Sequence, residues 1–123
     1  MSPTPRKAVI LLAHGSRDPL WRRPMEAVAE RLRASHGGLA VCCAYLELEQ
    51  PDLAAGAAEV MAGGIDELTI VPMFLGTGKH VRDDLPAMVD ALRSRYPDVR
   101  IMLRPPVGDD PRLLDLLAVI AGE

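Results

Sequence analysis

The chain has 123 residues and a formal net charge of −3, with nearly half its residues apolar but only one Trp, two Tyr and one Phe. That length suits one domain able to fold without a disulfide or a structural metal, and the composition is globular rather than disordered. The acidic balance excludes a basic-stripe nucleic-acid binder. No run approaches the roughly 20 apolar residues that cross a membrane, and no cleavage-type leader is visible, so a soluble cytoplasmic protein is expected.

Residues 1–6, including Ser2-Pro3-Thr4-Pro5, read as a flexible arm ahead of a single domain over 7–123. Lys7–Ala13 is a strand whose continuous Val/Ile/Leu run suits burial on both faces. Arg17-Asp18-Pro19 then turns the chain into a helix with an apolar stripe of Trp21, Met25, Val28 and Leu32, ended by Gly37-Gly38. Residues 39–46 form a second strand running into Glu47-Leu48-Glu49. It carries adjacent Cys42 and Cys43, which make no CxxC motif and read as buried thiols of a reducing compartment.

A helix starting near Pro51 puts Leu53, Ala57, Val60 and Met61 on one face and stops at Gly63-Gly64. Residues 68–75 form the third strand. Pro72 within it marks a bulge or a strand end, because proline removes a ladder donor. Residues 80–86 lead into a helix bearing Leu85, Met88, Val89 and Leu92, with Asp83 or Asp84 as its cap and Pro86 in its first turn. After Tyr96-Pro97-Asp98, residues 99–103 make the fourth strand. Asp110-Pro111 opens a last helix with Leu113, Leu116, Leu117 and Ile120. This βαβαβαβα alternation predicts a three-layer α/β fold, a four-stranded parallel sheet with helices on both faces.

Two histidines follow strands. His14 directly follows the first, and His80 follows the third by way of Gly76-Thr77-Gly78-Lys79. Parallel strands place both imidazoles over the carboxyl edge of the sheet, where open α/β sheets bind ligands. A pair of neutral imidazoles facing one crevice suits a divalent transition metal. Gly15, beside His14, allows close approach of a ligand, and Ser16 follows it. Glu47 abuts the second strand and can complete an N, N, O metal set or take a proton, with Glu49 as a competing candidate. His36, beside Gly37-Gly38, reads as an exposed helix-terminal residue on the opposite edge. Arg17, Arg22, Arg23, Lys79, Arg82 and Arg104 fall at or after strand ends; ordinary solvated charge is the bland alternative to an anionic substrate. The segment 76–79 fails as a Walker loop, since His80 stands where Ser or Thr is needed and Met73 where glycine is needed. Val81 likewise spoils a dinucleotide fingerprint, so no nucleotide is expected.

Taken together, residues 11–19, 45–51, 71–75 and 80–86 resemble the short-form sirohydrochlorin cobaltochelatases, class II tetrapyrrole chelatases, in order and over nearly the whole chain. The resemblance implies a flavodoxin-like chelatase lobe that inserts a divalent metal into sirohydrochlorin without ATP, towards cobalamin when the metal is Co²⁺, with Ni²⁺ or Fe²⁺ in related members. It implies that His14 and His80 bind metal and accept pyrrole protons, with Glu47 assisting. It implies substrate contacts from Gly15, Ser16, Arg17, Gly78, Lys79 and Arg82. It also implies a homodimer in which each chain stands for one lobe of the two-lobed relatives. Lys79 departs from the pattern, since many relatives carry glycine there, and the His-rich tail of some relatives is not seen. Two other functions fit parts of the sequence. One is a cobalt or nickel carrier without catalysis. The other is a histidine-phosphatase-like enzyme, although that pattern puts arginine where Ala13 stands.

Overall fold

The computed structural model describes residues 4–123. Its elements, in chain order, are β1 (Lys7–Ala13), α1 (Arg23–Ser35), β2 (Ala40–Tyr45), α2 (Leu53–Met61), β3 (Glu67–Pro72), α3 (Lys79–Arg95), β4 (Arg100–Leu103) and α4 (Pro111–Ala121), with 3₁₀ turns at Pro19–Arg22 and Val107–Asp109. The four strands form one parallel sheet in the order β2-β1-β3-β4. The sequence-based expectation of a four-stranded parallel α/β fold is therefore met. Among the described residues, no helix is long and apolar enough to cross a membrane. Of the expected N-terminal arm, residues 1–3 lie outside the described residues; Arg6 meets the sheet, its N–H donating to Asp66 Oδ2 at 2.8 Å.

The continuous apolar run of β1 is explained by its central position. Its alternate residues Ile10 and Leu12 join Leu53, Ala57, Leu68, Ile70 and Val89 in the larger core, under α2 and α3. Leu11 and Ala13 face the other way, onto Met25 and Ala29 of α1 with Cys43 and Tyr45. Pro72 is the last residue of β3, opposite Leu12, so its missing donor falls at a strand end. Both cysteines are buried free thiols.

Several local expectations need correction. Trp21 and Val28 are exposed and only Met25 of the expected stripe is buried. The 3₁₀ turn sets Trp21 out of phase with α1, and Ala29 takes the inward position. The third connecting helix begins at Lys79, so His80 lies in its first turn, Asp83 and Asp84 are interior, and Gly78 is the cap. Val81 packs against the core and draws that first turn into the helix. Pro86 consequently sits inside α3, rather than in its first turn, and leaves the Arg82 carbonyl without a helical donor. α4 buries none of its side chains: Leu113 and Leu117 are half-buried, whereas Leu114, Leu116, Val119 and Ile120 are exposed.

Candidate active site

His14 stands at the carboxyl end of β1, next to the end of β3. That adjacency brings Phe74, two residues past β3, against the imidazole, with ring centroids 4.4 Å apart and planes tilted by 31°. Phe74 is buried, so one side of the exposed His14 ring rests on a fixed wall. The backbone is equally constrained. Leu46 donates to the Ala13 carbonyl at 2.9 Å, and Glu47 donates to the His14 carbonyl at 3.0 Å. Gly15 then turns with φ +97°, and a Cβ there would stand 1.8 Å from the Glu47 carbonyl oxygen. Glycine is required here by both conformation and space.

Beneath this turn lies Glu49, whose side chain is 4% exposed. Its Oε1 accepts the Ser16 N–H at 2.9 Å. Arg22 Nε is 3.1 Å from its Oε2, an ion pair without the alignment of a hydrogen bond. The two glutamates therefore have different places. Glu47 keeps its carboxylate exposed while its backbone holds His14; Glu49 is a buried brace under Ser16. Leu48 between them has φ +66°, which folds Glu49 back under the loop. Tyr45, packed below Gly15, is held protonated: burial foremost pushes its phenol up to about 12.

Across the edge, the loop from Phe74 carries Gly78 to the start of α3, where Lys79, His80 and Arg82 are exposed. Arg82 and Arg104 flank a groove floored by Phe74 and Leu85, with a volume of about 330 Å³. Arg17 and Arg22 flank another opening beside Ser16 and Glu49. Topology thus brings His14, Gly15, Ser16, Arg17 and Glu47 to the same sheet edge as Gly78, Lys79, His80 and Arg82. It does not close His14, His80 and Glu47 into a metal cage: among the described residues, no group of three or more His, Cys, Asp or Glu side chains is close enough to hold an ion. His36 lies at the far end of α1, exposed, with Nδ1 2.8 Å from Ser35 Oγ, as its helix-terminal position suggests.

The model of the CbiX family matches residues 8–121. The chain is 28% identical to a sirohydrochlorin ferrochelatase of Bacillus subtilis, over 89% of this chain but only 42% of that one. It is also 28% identical to a sirohydrochlorin cobaltochelatase of Methanopyrus kandleri, over 89% of this chain and 91% of that one. Among solved structures, a CbiX protein of Marinobacter aquaeolei is 38% identical with a TM-score of 0.77, covering 94% of this chain and 95% of that one. The sirohydrochlorin chelatase SirB of Bacillus subtilis, in complex with cobalt, is 26% identical with a TM-score of 0.80, covering 95% of this chain and 50% of that one. The chain therefore spans about half the length of the Bacillus subtilis proteins and nearly all of the Methanopyrus kandleri and Marinobacter aquaeolei ones.

Proposed function

This chain belongs to the CbiX family, and on that premise we propose that it inserts a divalent metal, Co²⁺ foremost, into sirohydrochlorin without ATP. The observation that carries this reading is the placement of His14 and His80 after adjacent parallel strands, with Glu47 hydrogen-bonded to the His14 carbonyl. Insertion replaces two pyrrole N–H protons by one M²⁺. Both protons need acceptors at the reacting edge, and a positioned imidazole nitrogen is the commonest general base. The same nitrogens, in an open set rather than a closed cage, hold the metal loosely enough to pass it to four ring nitrogens. Phe74 restrains the His14 ring, so proton and metal are met by an oriented group.

Glu47, exposed at this edge, assists with metal or proton. Gly15, Ser16 and Gly78 admit the macrocycle, while Arg17, Lys79 and Arg82 meet its carboxylates. Residues 7–123 act as one domain, the whole chelatase lobe. Relatives named for iron and for cobalt are about equally similar to it. The preference for Co²⁺ over Fe²⁺ or Ni²⁺ is therefore part of the proposal. Two copies form the working unit. The exposed Leu114, Leu116, Val119 and Ile120 of α4 support this, because that face has no cover among the described residues. Buried reduced thiols fit a cytoplasmic location.

The test is anaerobic mixing of the protein with sirohydrochlorin and Co²⁺, Fe²⁺ or Ni²⁺, followed by tetrapyrrole absorbance against a protein-free control. Acceleration greatest with Co²⁺ is expected. Tight metal binding with no acceleration by any of the three would replace this reading with that of a metal carrier.

A further inference from the structure

We propose that Trp21 and Leu20 form an apolar platform beside His14 that takes one face of the tetrapyrrole macrocycle, making Trp21 a substrate-binding residue. The inference rests on the chelatase reading above and deepens it. The starting observation is an anomaly of placement. Trp21, the chain's only tryptophan, is 59% exposed and its neighbour Leu20 is 57% exposed. Two adjacent large apolar side chains left exposed make a patch, and an exposed apolar patch is what marks a binding surface.

Their exposure is built into the loop. The Asp18 carboxylate accepts the Leu20 N–H at 2.9 Å, and the Asp18 carbonyl accepts the Trp21 N–H at 3.0 Å. The Asp18 N–H in turn donates to Ser16 Oγ at 3.1 Å. The turn that presents the indole is thus anchored to the loop that presents His14. Leu20 and Trp21 line a cleft of about 300 Å³ together with Met25, Met73 and His14. Its walls are apolar apart from the imidazole. His14 and Trp21 therefore open into one space.

The rim supplies the complement. Arg17 and Arg23 flank the turn, and among the described residues neither has an ion-pair partner. A flat conjugated ring with carboxylates on its periphery matches an apolar floor with cationic edges. A second copy of the chain is the competing occupant. The separate apolar face of α4 offers it a docking surface that holds no imidazole.

The experiment uses metal-free sirohydrochlorin as the probe, titrated anaerobically into the full chain and followed by the tetrapyrrole's own absorbance. Insertion kinetics are measured in parallel. Trp21→Ala is expected to weaken binding about tenfold, with the loss appearing in KM rather than kcat. Trp21→Phe, which keeps an aromatic face, is expected to recover most of it. If Trp21→Ala binds as tightly as a wild-type protein that inserts metal, the platform is overturned and the chelatase reading stands. If the wild type neither binds sirohydrochlorin nor inserts metal, the chelatase reading falls and the platform with it. A Trp21→Ala protein that loses a dimer on size exclusion would assign this surface to a second copy and overturn the platform.

Discussion

Gly15→Ala should damage both stability and activity, and the structure gives the size of the effect. The new methyl would lie 1.8 Å from the Glu47 carbonyl oxygen. Ordinary contact requires the two segments to part by more than about 1 Å. That movement breaks the hydrogen bond from Glu47 to the His14 carbonyl, now 3.0 Å, and strains the one from Ser16 to Glu49, now 2.9 Å. Two such bonds are worth about 1 kcal/mol each. Holding an alanine at φ +97° adds about 1–2 kcal/mol. The total is about 3 kcal/mol, or a fall in Tm of about 10 °C for a domain of this length. Urea denaturation and thermal melting would read it. Insertion assayed well below the new Tm should still drop at least about tenfold, because His14 moves with the loop. A variant within about 0.5 kcal/mol of wild type would refute the packing described for this turn.

Three other outcomes follow from the same geometry. Glu49→Ala removes a buried carboxylate from the Ser16 N–H and from Arg22, and should cost about 2 kcal/mol in urea denaturation. Glu49→Gln, which keeps an acceptor for the Ser16 N–H but loses the charge, should cost less; a loss equal to that of Glu49→Ala would show that the charge facing Arg22, and not the Ser16 hydrogen bond, accounts for the effect. Burial, above all, pushes the Cys42 thiol up to about 12 and Cys43 to about 11. The folded chain therefore keeps protons that the unfolded chain releases above its ordinary thiol pKa of about 8.5, and stability should fall as pH rises from about 9 to 11. Denaturation curves that stay flat over that window, or thiols that react freely with Ellman's reagent at pH 8, would contradict this. Finally, Leu116→Glu with Ile120→Glu should convert a dimer to a monomer on size exclusion with the far-ultraviolet spectrum retained; an unaltered dimer would move the interface away from α4.

How far the sequence reveals this arrangement depends on what each segment packs against. β1 is legible residue for residue, because a strand buried on both faces needs an unbroken apolar run. The two histidines are legible as a pair, since parallel topology carries any residue after a strand to one edge. The Glu47–Glu49 choice is not legible. Strand alternation would send both carboxylates the same way, but Leu48 at φ +66° separates them, leaving one exposed and burying the other. Trp21 fits a helical stripe by spacing alone, yet the Asp18-capped 3₁₀ turn sets it outside the core. α4 shows an amphipathic pattern whose apolar face stays exposed among the described residues, and periodicity cannot say which surface covers it.

The most direct test of the central claim is the rate of Co²⁺ insertion into sirohydrochlorin by the wild type, His14→Ala and His80→Ala, measured anaerobically with urea denaturation alongside. Both imidazoles are exposed, so His80→Ala should stay within about 0.5 kcal/mol of wild-type stability. His14→Ala should lose slightly more, through its contact with Phe74. Each substitution is expected to slow insertion at least about 100-fold. Wild-type rates in both variants would place the chemistry elsewhere on the molecule and contradict the account.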